Sequence, residues 1–238
     1  MRALLSVLFF VATLLAVMGL TLQLSKYAFE RGWLPARYNP FSDLDVRQPP
    51  TAVTPFKLWR AANDREYCDR ALASADFSVT PLPDRDDDDG CGLHDVYRIS
   101  RTGTALSSSF MATCELAAAY ALFEHHGLQP AAQAVYGQPV RRVEHLGSYA
   151  CRNINHAASG RRSEHAHANA LDLSAFVLAD GRRITVSGGW RDNGDAGRFL
   201  HQVFDAACEY FHIVLGPEYN ALHQNHFHVD MGRFRTCR

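Results

Sequence analysis

The chain lacks an excess of charge of either sign. Its 24 Lys and Arg face 25 Asp and Glu, a formal charge of −1 with histidine neutral. That removes any global electrostatic case for nucleic acid or for an anionic membrane surface. No Cys-x-x-Cys pair occurs, which argues against a cysteine zinc site or a thioredoxin-type motif. The acidic run Asp84-Arg85-Asp86-Asp87-Asp88-Asp89-Gly90 lacks the spaced ligands and closing glutamate of an EF-hand loop, and reads as a solvated turn. No internal repeat is present.

What the chain does have begins with a long apolar run. Ala3 to Leu24 contains no charged residue and, as a helix, is long enough to cross a bilayer core. No clean Ala-x-Ala cleavage site follows it, so residues 1–24 are expected to be a signal-anchor helix engaging the inner membrane through residues 3–24. A cleaved signal peptide is the alternative. All six cysteines lie beyond the run. An even count behind an export segment predicts three disulfides in an oxidising compartment. Of the fifteen possible pairings, the expected one is Cys68–Cys91, Cys114–Cys208 and Cys151–Cys237.

Residues 25–55 carry Pro35, Pro40, Pro49, Pro50 and Pro55 without a sustained apolar period, and read as a Pro-rich linker. Residues 56–238 form the folded domain. Within it, Leu58 to Ala75 reads as helical, and Val96–Ile99 and Ala105–Leu106 as short strands. A strong helix is expected to start at Ser108 and stop at Gly127. Strands follow over Val140–Leu146 and Ala170–Leu178, with Arg183–Ser187 returning after a turn at Asp180-Gly181. A second strong helix is expected over Asp195–Phe211 and a last strand over His226–Met231. The mixture predicts an α+β fold with a mostly antiparallel sheet flanked by helices, behind an N-terminal transmembrane helix.

Two short stretches carry metal-ligand side chains. One holds His165 and Asp172; the other is His223-Gln224-Asn225-His226-Phe227-His228. On a strand, residues two apart share a face, so His226 and His228 point together while Phe227 faces the core. Asp172 falls inside an apolar strand, where a lone carboxylate is costly and a cation or ion pair would offset the cost. A histidine, a carboxylate and a second histidine suit a catalytic zinc, which keeps a fourth position for water.

Ser163-x-His165-x-x-Ala168-x-Ala170-x-Asp172 resembles the Ser-x-His-x-x-Gly-x-Ala-x-Asp signature of the LAS zinc peptidases, with Ala168 where glycine is usual. That group includes D-alanyl-D-alanine peptidases, murein endopeptidases and the hedgehog domain. His226-x-His228 resembles the group's closing His-x-His. Ser148-Tyr149-x-Cys151-Arg152, with Gly216-Pro217 and both metal motifs, is similar to bacterial extensin-like C-terminal domain proteins over roughly residues 65–238. The resemblance implies a hedgehog/D-Ala-D-Ala-peptidase architecture and zinc held by His165, Asp172 and His228. His226 or His223 would take the base role that a glutamate fills in relatives. Arg152 would hold a substrate carboxylate or oxyanion, and Ser163 and Asn169 would orient ligands. The expected function is a zinc peptidase cutting peptide bonds of peptidoglycan in the periplasm. The alternative is a non-catalytic envelope module that binds peptidoglycan or a partner protein.

Overall fold

The computed structural model describes residues 2–87 and 89–238, so Asp88 of the acidic turn lies outside the described residues. Helix α1 (Arg2–Glu30) contains the apolar run and extends past it. Its Leu5–Glu30 portion is 26 residues long and none of its most apolar window is buried against protein. At 1.5 Å per residue that is about 39 Å, more than a ~30 Å hydrocarbon core requires.

The segment read as a linker is in part packed. Leu44 and Val46 belong to the main core. Buried Lys57 ties the segment down by donating from Nζ to the Ala36 and Asp43 carbonyls (3.2 Å each) and to Ser42 Oγ (2.9 Å). The helical stretch after it is two helices, α2 (Thr54–Asn63) and α3 (Arg65–Ala73). Asp64 between them has extended φ/ψ and caps α3 by accepting from the Tyr67 amide.

Strands β1 (Ser78–Pro81), β2 (Val96–Arg101), β3 (Ala105–Leu106) and β4 (Phe110–Thr113) come next. The expected helix start at Ser108 is therefore displaced. Phe110 and Ala112 are buried while Met111 and Thr113 are half-buried, a period-two pattern, and helix α4 (Cys114–Phe123) begins only after Thr113 caps the Leu116 amide. Gly127 does not stop it. A π turn over Glu124–Leu128 carries the helix into α5 (Gln129–Tyr136), which ends at left-handed Gly137. Gly127 instead permits close approach, since a Cβ there would lie 2.9 Å from Ala206 Cβ.

The second half holds β5 (Val140–His145), β6 (Ala170–Leu178), β7 (Arg183–Thr185), the short α6 (Val186–Gly189), α7 (Asp195–Tyr210), β8 (Ile213–Leu215), β9 (Phe227–Asp230) and β10 (Thr236–Cys237). The expected returning strand thus closes at Thr185, where the chain turns into α6. Among the described residues, β1, β2 and β4 make an antiparallel sheet, and β10-β8-β9-β6-β5-β3 with β7 make a larger one. The fold is α+β as expected. The large sheet is antiparallel except at two marginal pairings, β10 with β8 and β3 with β5.

The cysteines pair as Cys68–Cys114, Cys91–Cys151 and Cys208–Cys237. This corrects all three expected pairings. Each bridge joins elements that fold against one another: α3 to the start of α4, the acidic turn to the Arg152 loop, and α7 to β10.

Candidate metal centre

The central strands place the site by their register. Leu171 pairs with Val229 and Leu173 with Phe227, and all four are buried in the main core. Alternation then sends Asp172 and His228, which are directly paired, to the opposite face. An apolar strand therefore carries its one carboxylate into a cleft. His165 arrives from a 3-10 turn (Glu164–His167) capped by Ser163. That turn ends at Ala168, buried with φ 54°, a left-handed conformation that explains why glycine suits the position.

Three ligand-type atoms converge. His165 Nε2 lies 3.1 Å from His228 Nδ1 and 3.3 Å from Asp172 Oδ1, and His228 Nδ1 lies 3.0 Å from the same oxygen. A tetrahedral ion with bonds near 2.0–2.1 Å spaces its ligands by about 3.3 Å, so the triangle fits zinc. Tautomers fit as well. His165 Nδ1 donates to the Ser148 carbonyl (2.9 Å) and His228 Nε2 donates to Asp230 Oδ2 (2.8 Å). In its neutral form each histidine would thereby turn a bare nitrogen inward, as a metal ligand must. Three lone-pair atoms this close repel unless a proton or a metal ion lies among them.

A proton competes with a metal ion for the same place. Burial opposes charge on His228, but hydrogen bonds to Asp172 and Asp230 overcome it and raise its pKa to about 9. Burial likewise opposes the Asp172 carboxylate, and hydrogen bonds from His165 and His228 outweigh it, holding that carboxyl far below the usual range. The site favours a cation bound to an anion.

His226 stands immediately before β9. Its Nδ1 donates to Asn225 Oδ1 (2.8 Å), leaving Nε2 at 3.4 Å from Asp172 Oδ1. His223 donates from Nδ1 to Asn220 Oδ1 (2.7 Å). Burial lowers both pKa values, that of His223 to about 4 with help from the neighbouring histidines. Arg152 completes the wall of a cleft of ≈290 Å³ shared with Asp172, His223, His226 and His228. It lies close enough for its charge to disfavour protonation of both free histidines. The Cys91–Cys151 bridge fixes the residue before it.

Five of the six proposed ligand and catalytic residues therefore line one cleft, and buried His165 reaches it from beneath through His228 and Asp172. Ser163 lines the cleft edge and caps the turn, while Asn169 stands behind it, accepting from Thr113 Oγ1 (2.6 Å) and donating to Glu164 Oε2 (2.7 Å). Asp230, Asn220 and Asn225, which set the histidine tautomers, were not anticipated. Asp230 was findable, because His226-x-His228-x-Asp230 continues the strand period.

A family model described as extensin-like protein C-terminus matches residues 66–238. No curated protein and no solved structure matches the chain.

Proposed function

The chain belongs to the extensin-like protein C-terminus family, and from that premise we propose that it is a zinc metallopeptidase acting on peptide bonds of peptidoglycan in the cell envelope. Family membership by itself names no chemistry. The observation that carries the reading is the His165–Asp172–His228 triangle, with sides of 3.0–3.3 Å and both outer imidazole nitrogens donated elsewhere. Kinship with the LAS peptidases and their hedgehog-like scaffold is part of the proposal, resting on the Ser163-to-Asp172 motif and on His226-x-His228.

Zinc held by His165, Asp172 and His228 would supply Lewis acidity toward water and a scissile carbonyl. The chain's own residues do the rest. Burial holds His226 and His223 toward the neutral form, with Nδ1 engaged by an asparagine. His226, with Nε2 3.4 Å from Asp172 Oδ1, is the better base, since a pKa of about 4 leaves His223 a weak one. Arg152 offers a fixed cation for a carboxylate or a developing oxyanion. Three disulfides behind an apolar helix support a periplasmic site of action, with α1 as anchor or signal peptide.

The test is zinc content and muropeptide hydrolysis by the oxidised chain. One zinc per chain is expected. His165→Ala, Asp172→Ala and His228→Ala should each abolish hydrolysis while the fold persists. Full activity in any of them would remove that residue from the ligand set. Zinc retained and muropeptides bound but never cut would favour the non-catalytic module. That outcome has its own support: near the second motif the base role falls to His223 or His226, where the resemblance implies a glutamate.

A further inference from the structure

The domain exposes aromatic side chains beside the end of its apolar helix. Helix α1 closes with a fixed stop: Gly32 (φ 70°) donates to the Phe29 carbonyl and Trp33 N to the Ala28 carbonyl at 2.9 Å. Trp33 then lies edge-on to Tyr27 with ring centroids 5.5 Å apart. Three residues later Ala36 is bonded to Lys57 of the domain, so at most about 11 Å of chain separates Trp33 from the domain surface.

At that surface the Phe56 ring meets both Phe41 and Trp59. Phe56 and Trp59, three apart on the outer face of α2, stack at 5.6 Å, and Phe41 meets Phe56 edge-on at 6.2 Å. Phe41 is 72% and Trp59 56% exposed. The group is held rigidly: Arg60 donates to the Pro40 (3.3 Å) and Phe41 (2.9 Å) carbonyls. The opposite face of α2, with Leu58 and Ala61, is already buried in the core.

We propose that Trp33, Phe41, Phe56 and Trp59 form a platform that seats the folded domain on the interface of the same bilayer that α1 crosses. The inference rests on α1 being retained as a membrane span and is independent of the peptidase reading. Continuity carries it: exposed aromatic rings begin where the apolar helix ends. Aromatic rings interleaved with Arg31, Arg37 and Arg60 match the headgroup zone, where amphipathic rings and cations meet lipid phosphate.

The experiment uses the full chain in nanodiscs of phosphatidylethanolamine and phosphatidylglycerol, with lipids brominated near the headgroup. In a Trp33→Phe chain the reporters are Trp59 and Trp190. Trp190 is buried against Phe204 and Phe227, and a Trp33→Phe/Trp59→Phe chain gives its background. The expected result is loss of Trp59 emission in brominated lipid, with Trp190 emission unchanged. Adding Phe41→Asp and Phe56→Asp should abolish that loss and open Trp59 to aqueous iodide, while Trp190 emission reports an intact core. Trp59 quenched by iodide but not by bromolipid in the parent chain would overturn the proposal. So would shielding from both quenchers, which would mean that a second copy covers the rings. Bromolipid quenching that survives the two charged substitutions, or a full chain that fails to stay with the disc, overturns it equally.

Discussion

Asp230 touches no ligand position, yet it decides what His228 offers. Its Oδ2 takes the His228 Nε2 proton at 2.8 Å and its Oδ1 takes the Gly232 amide at 2.7 Å. Asp230→Asn preserves the shape and removes the charge that strengthens the ligating nitrogen. Zinc affinity should fall by about 10–100-fold, read by competition with a chromogenic chelator. A second residue-scale outcome concerns Glu115 in the first turn of α4. Burial, reinforced by Glu164 and opposed by Arg235, raises its pKa to about 7. A carboxyl raised in the folded state contributes stability that is complete below its unfolded value near 4.5 and is lost as pH rises through 7. Glu115→Gln should therefore match the parent near pH 4.5 and exceed it at pH 8 by about 2 kcal/mol after allowance for partial exposure, measured by denaturant midpoints. The convergence of Asp172 and His228 was legible in the sequence because strand alternation isolates them from Leu171, Leu173, Phe227 and Val229. The Asn220 and Asn225 partners were not, since a side-chain amide beside a histidine is commonplace until the loop geometry is known.

At the scale of elements, the Cys91–Cys151 bridge joins the acidic turn to the loop that carries Arg152. It closes a sequence separation of 60 residues, for which the chain-entropy account gives about 4 kcal/mol. Tyr149 reinforces the junction, accepting from Arg85 Nη2 (2.7 Å) and donating to the Cys91 carbonyl (3.3 Å). Replacing both cysteines by serine should leave zinc bound, lower stability by a few kcal/mol and raise KM more than it lowers kcat. Calorimetry and steady-state kinetics separate these effects. Disulfide pairing was not legible, because it depends on which turns meet in space. The Ser108 boundary misled for a different reason. Phe110–Thr113 abuts the Ala-rich α4, so its short period-two pattern is absorbed into a longer helical one. Gly127 reads as a stop by composition, whereas its missing Cβ serves the contact with Ala206.

For the molecule as a whole, the fate of α1, as anchor or as signal peptide, bears on where the cleft would work. If α1 is retained, the full chain should remain in the membrane pellet through alkaline carbonate extraction, and deleting residues 2–24 should release it; a signal peptide would give a shorter, soluble product in cells, read by mass spectrometry. The α+β class and the apolar helix were legible from periodicity and length. The packing of residues 36–55 was not, because Leu44 and Val46 are two isolated apolar residues in a polar, Pro-rich stretch, and only their partners in space reveal them as core. If the cleft holds zinc as proposed, the three bridges also bear on which ion reaches it. Reduction would release six thiols, and a soft ligand set competes well for zinc and copper(I). A chain made in a reducing cytosol can thus acquire metal through sulfur and arrive misloaded. Oxidation before metal exposure would leave nitrogen and oxygen donors as the chain's chelators, so for the proposed zinc protein the order of these two events would bias which ion is loaded.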